Sequence, residues 1–242
     1  MTASNFDAAL GVTLVYEGGF SDNPHDPGGA TNLGITGRTL AAWRGHSVTS
    51  ADVKALTRAE AAAIYRKQYW DAIDGDSLPS GVDLSVWDAG VNSGAGAAKK
   101  WLTRATRATP VETIHAFAAV RLSFLEALKT WRYFGAGWGR RVAGIEALSV
   151  KWALAENPAG PSILVSKSRE ATAKAATAEK ATTAPAAGGG AIATAHATAG
   201  GNIGVTVAIV AVCVVAVAAL AFYSWRQSQR ADAFATVAAR AT

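Results

Sequence analysis

The chain has 242 residues, half of them hydrophobic and 17% charged, with one Cys. It is neither a disordered tail nor a disulfide-stapled miniprotein, because a lone cysteine makes no internal bridge. The formal charge is +5, but it is unevenly placed: residues 1–90 carry 6 basic and 11 acidic side chains, residues 91–165 carry 10 and 4, and residues 166–242 carry 7 and 3. No Lys/Arg run, RNP-type aromatic motif or zinc-finger spacing accompanies the basic part, so nucleic acid is not an expected partner.

In chain order, oxygen-bearing caps mark three helix starts. Ser4 with Asp7, Thr57 with Glu60, and Thr109-Pro110-Val111-Glu112 each pair an acceptor with a carboxylate three residues on, which predicts helices from near 5, 58 and 110. Between the first two, Ser21–Thr36 concentrates Asn23-Pro24, Asp26-Pro27-Gly28-Gly29 and Gly34, leaving room only for a small hairpin. Apolar spacing predicts further helices over Val82–Val91, Ala97–Ala105 and Arg140–Leu154, and no alternating run is long enough for a sheet. The first 160 residues are therefore expected to form a mainly α domain whose aromatic residues supply its core.

The composition then changes. Residues 166–201 are Ala/Thr/Gly-rich with few large apolar groups and read as a flexible linker. Ile203–Tyr223 follows without a charge, and as a helix of about 31 Å it matches a hydrocarbon core. The expectation is a transmembrane helix over 202–224 and a short tail over 225–242, with Tyr223, Trp225, Arg226 and Arg230 as an interfacial anchor. The positive-inside rule then puts the C-terminus in the cytoplasm and the folded domain outside. Met1–Leu10 has neither a basic n-region nor an apolar core, so it does not read as a cleavable signal, and the chain could be held in the cytoplasm at first.

Chemistry is expected at the end of the first helix. Phe6, Leu10 and Leu14 form an apolar face that Glu17 continues, just before Gly18-Gly19. Partly apolar surroundings and the negative helix pole both favour a protonated carboxyl, as a general acid requires; the alternative is an ordinary solvated Glu in a last turn. Asp26 follows in the turn region, and a pair of carboxyls flanking one cleft suits glycoside hydrolysis. Thr31 could orient a water, while Asp26 could equally serve an Asx turn before Pro27. Asn92 either hydrogen-bonds substrate or only caps a helix, with Asp88 four residues earlier on the same face. Trp43, Trp70, Trp87, Trp101, Trp131, Trp138 and Trp152 could stack on sugar rings, although aromatics at helical spacing are more often core. The four His residues lack metal-ligand spacing and Cys213 sits in the apolar run, so neither a metal site nor a cofactor is expected.

Two blocks carry a family resemblance. Tyr16-Glu17-Gly18-Gly19-Phe20 with Asp26-Pro27-Gly28-Gly29-Ala30-Thr31-Asn32-Leu33-Gly34-Ile35-Thr36 resembles the N-terminal signature of glycoside hydrolase family 108, a family of peptidoglycan-cleaving N-acetylmuramidases. Val86-Trp87-Asp88-Ala89-Gly90-Val91-Asn92-Ser93-Gly94 resembles its second block. The family's essential glutamate maps onto Glu17, and its motif tyrosine is Phe20 here. Arg121-Leu122-Ser123-Phe124-Leu125 and Trp131 to Val142 resemble the predicted peptidoglycan-binding segment of these proteins.

The resemblance covers roughly residues 5–155. It implies a lysozyme-like helical fold with a catalytic region over 1–95 and a peptidoglycan-binding region over 96–165. It further implies Glu17 and Asp26 as catalytic residues and substrate contacts at Thr31, Asn32, Asp88 and Asn92. The expected activity is hydrolysis of the β-1,4 bond between N-acetylmuramic acid and N-acetylglucosamine, for lysis or wall remodelling, by a monomeric enzyme whose partners are glycan strands and the membrane. Two other readings are a lytic transglycosylase, which leaves an anhydro-sugar end, and a non-catalytic peptidoglycan-binding module.

Overall fold

A computed structural model describes residues 5–17, 19–22, 29–183 and 203–240. The chain is mainly α, with one small hairpin and a long apolar C-terminal helix. It divides into two compact units, Met1–Ser123 and Phe124–Thr242.

The first unit begins with α1 (Phe6–Glu17), followed by the hairpin strands β1 (Thr31–Asn32) and β2 (Ile35–Thr36). Then come α2 (Gly37–Arg44), α3 (Ser50–Lys54) and α4 (Arg58–Tyr65), which runs through a π turn over Arg66–Trp70 and two short 3₁₀ turns into α5 (Val82–Ser93). α6 (Ala95–Ala105) and most of α7 (Pro110–Glu126) complete it. The cap signals hold where they can be seen. Thr57 Oγ1 accepts from the Glu60 N–H at 3.2 Å, and Thr109 and Glu112 bond each other's backbone N–H in a complete capping box. Ser4 lies outside the described residues. α2 and α3, too short to show a hydrophobic period, are held instead by caps at Thr36 and Thr49.

The core of this unit is aromatic. Trp87, fully buried on α5, takes edge contacts from Phe6, Tyr65 and Trp70 with ring centroids 5.6–5.8 Å away. Trp70, Trp87 and Trp101 are thus core residues, whereas Trp43 on α2 stays 40% exposed.

The second unit packs α8 (Trp131–Ala153), α9 (Gly160–Thr183) and α10 (Ile203–Ala239) against one another. Two expectations are revised here. Residues 166–183, read from composition as linker, are helical and bury Ala171, Ala175 and Ala178; residues 184–201 lie outside the described residues. Residues 225–239, read as a tail, continue α10 and bury Gln227, Ala231, Phe234 and Ala238 at 4-3-4 spacing, the seam of a helical bundle. Poverty in large side chains misled the linker reading, because alanine seams gain contact through close helix approach rather than bulk.

Arg226 and Arg230 are also not a free basic flank. Arg226 pairs with Glu126 at 3.3 Å, and Arg230 grips nearly buried Glu146 bidentately at 2.7 and 2.9 Å. Among the described residues α10 is the helix long and apolar enough to cross a membrane, and Val207, Val212, Val214 and Val215 in its first half are exposed.

Candidate active site

The expected catalytic region is organised around the C-terminal end of α1. Thr13 is fully buried, and its Oγ1 accepts from Trp87 Nε1 at 2.7 Å, tying α1 to α5. One helix start earlier, Asn5 Nδ2 donates to Asp83 Oδ2 at 2.8 Å. Both contacts hold α1 against α5; Glu17 closes α1, and Asn92 lies in the last turn of α5. Glu17 is the last residue of α1, and its side chain lies outside what the structure describes, as does all of Asp26.

The hairpin is brought to this end by its backbone. Ser21, four residues after Glu17, exchanges two 2.8 Å hydrogen bonds with Thr31, and Thr31 pairs on its other side with Thr36. The turn joining β1 to β2 is Leu33-Gly34, both at positive φ (51° and 74°), the geometry that two-residue hairpins favour. A non-glycine residue in this region is strained, and the Leu33 carbonyl is held by Tyr65 Oη at 3.0 Å. Thr31 therefore stands, half-buried, on a rung fixed between Ser21 and Thr36.

Asn32 and Asp88, both expected to contact substrate, are bonded within the protein. Asn32 is buried, and its amide donates to the Val53 and Lys54 carbonyls, both at 3.1 Å, so it pins the hairpin to the end of α3. Asp88 is fully buried and accepts from Arg121 Nη1 of α7 at 2.7 Å. These hydrogen bonds of both side chains serve the scaffold. Asn92 is exposed, and its Oδ1 accepts from Arg121 Nη2 at 3.4 Å and from Ser93 Oγ at 3.2 Å. A buried carboxylate thus orients an arginine that reaches a surface amide at the end of α5. Sequence reasoning missed Thr13 and Tyr65, and it named Arg121 only within the segment resembling a peptidoglycan-binding region, not as the partner of Asp88. The one available signal was an opposite-charge pair set in otherwise apolar helices, and nothing local announced that the two would meet.

Around Glu17 the surface is apolar and open. Val15 is 80% exposed, Tyr16 46% and Phe20 38%, with Lys54 Nζ 5.7 Å from the Phe20 ring centre. Asp22, also exposed, accepts a short hydrogen bond from Ser50 Oγ. Electrostatically the distinctive acid is Asp83. Burial raises its carboxyl above the usual aspartate range, against the pull of hydrogen bonds from Asn5 and the Leu84 and Gly81 N–H groups. Among the described residues no group of three or more His, Cys, Asp or Glu is placed to hold a metal ion.

The helical fold and its matches to known proteins define the class, a hydrolase that acts on peptidoglycan. The model for glycosyl hydrolase 108 matches residues 10–94. The solved structure of Brucella abortus SagA is 37% identical, with a TM-score of 0.55, and the match covers 62% of this chain and 95% of that one. No curated protein matches. The chain belongs to glycosyl hydrolase family 108.

Proposed function

We propose that the chain is an N-acetylmuramidase that hydrolyses the β-1,4 bond between N-acetylmuramic acid and N-acetylglucosamine, with Glu17 as general acid. The observation that supports this reading is how the segments on either side of Glu17 are held. Buried Thr13 is bonded to Trp87 before it, and Ser21 is bonded to Thr31 of the hairpin after it. The negative end of α1 favours the protonated carboxyl, as proton donation to a leaving oxygen requires. Asp26 is the proposed second carboxyl, either activating water or stabilising the oxocarbenium-like transition state. Thr31 and Asn92 are the proposed polar contacts to the glycan. The helical second unit associates with the membrane through α10, and the wall-side role is lysis or remodelling.

The test is turbidity loss of purified peptidoglycan by the full chain beside Glu17→Gln. The variant is nearly isosteric and keeps its circular dichroism, but should lose about 10²–10⁴-fold in rate, the usual share of general acid–base catalysis. Clearing at the wild-type rate would overturn the assignment. Product mass supplies the finer answer: reducing ends identify a hydrolase, anhydro ends a transglycosylase.

A further inference from the structure

We infer that the chain enters and leaves the membrane on one face, so that residues 1–183 and 224–242 lie on the same side of the bilayer and the first half of α10 is an apolar excursion into it. The inference rests on the membrane reading of α10 and changes its topology. It begins with register. Ser224 Oγ donates to the Ala175 carbonyl at 3.0 Å, and Ser168 Oγ to the Ala231 carbonyl at 3.1 Å. Seven residues forward on α10 correspond to seven back on α9, so the helices are antiparallel, and by the same register Thr183 stands level with about Ala216. A helix that crossed the membrane once would put the segments before and after it on opposite sides. Here those segments are packed together.

Beyond the end of α9, α10 continues back to Ile203 as a projecting rod. From the level of Lys180 to Ile203 it extends about 25 Å at ~1.5 Å per residue, close to the ~30 Å hydrocarbon core. Val207, Val212, Val214, Val215 and Cys213 on it are exposed. The chain from Ala181 to Trp225 contains no Asp, Glu, Lys or Arg.

A second observation marks where the surface of the bilayer would lie. At the base of the rod Trp131 meets Phe222 edge-on at 6.1 Å, and Phe222 stacks on Trp225 at 5.5 Å. From there an aromatic run continues along the first turns of α8 through Trp138 and Phe134 to Tyr133, the last two 55% and 68% exposed. The Arg132 guanidinium lies 4.6 Å from the Tyr133 ring centre. Exposed aromatics backed by arginine, at the foot of an uncharged rod, suit the headgroup layer of an anionic bilayer.

The test uses the full chain expressed in bacteria. Native Cys213 should resist a membrane-impermeant maleimide in spheroplasts and in lysed membranes, and react only after detergent. In a Cys213→Ser background, Ala176→Cys on α9 and Ala235→Cys on α10, both exposed positions, should be labelled from the same side. Labelling from opposite sides would overturn the one-face topology while leaving membrane association standing. Reaction of Cys213 before detergent, with the chain in the soluble fraction, would remove membrane association itself. For the aromatic run, the Tyr133→Ser/Phe134→Ser double variant should float with phosphatidylethanolamine/phosphatidylglycerol vesicles several-fold less well. Loss of peptidoglycan binding with flotation intact would overturn the lipid assignment and give the aromatic run to glycan.

Discussion

The two units solve the same packing problem with opposite materials. The first surrounds Trp87 with other rings, and several of them carry polar handles that reach outward: Trp87 Nε1 to Thr13, Tyr65 Oη to Leu33. The second closes on Ala171, Ala175, Ala178, Ala231 and Ala238, with Gly139 of α8 so near α10 that a Cβ there would come within 2.8 Å of Gln229 Oε1. An aromatic core buries much area per residue and fixes loops from within, which is what a site made of a helix end and a hairpin needs. An alanine seam buries little per residue and works by backbone approach, so it needs only long, regular helices. Site precision belongs to the first unit and the apolar rod to the second.

Buried ion pairs offer the sharpest way to break that contrast, since each unit has one. Arg121→Ala removes the arginine partner of Asp88 in the first unit, and Arg230→Ala removes that of Glu146 in the second. Removing one partner of a buried pair commonly costs about 3–5 kcal/mol. Urea unfolding should show a loss of this size for Arg121→Ala, with the Asp88→Leu/Arg121→Met double variant recovering most of it, because Arg121 Nε has no hydrogen-bond partner among the described residues. Arg230, about a quarter exposed, should lose less. Equal losses at both sites would show that the two cores are equally unforgiving.

A smaller effect probes the seam alone. Ala175→Leu forces bulk between α9 and α10 and should destabilise the second unit by about 1–3 kcal/mol, read as earlier loss of helical signal with no change in the specific activity of the folded fraction. A neutral result would mean the helices can separate freely.

The smallest effect is a pH dependence confined to the first unit. Burial raises the Asp83 carboxyl, so the folded state favours its protonated form. Stability from this group is full below its unfolded value and is lost as pH rises through the folded value. Asp83→Asn should therefore flatten the fall in Tm between acid and neutral pH. An unchanged slope would show that Asp83 titrates normally.

Much of this was legible along the chain. Cap residues announced α4 and α7 within a residue, the apolar period announced α5, α6 and the core of α8, and the uncharged run announced α10, because each is a local signal written within a turn or two of helix. The motif around Glu17 marked a candidate site for the same reason. What the linear order does not contain is partnership. Asp88 and Asn32 have the polarity of binding residues, and only the approach of Arg121 from α7 and of the α3 carbonyls turns them into scaffold. Residues 166–183 and 225–239 have the composition of a linker and a tail, and become helices of a bundle only because each supplies the other's missing surface. Local free energies choose helix or turn, whereas burial and charge pairing depend on which distant segment arrives. That choice belongs to the tertiary structure.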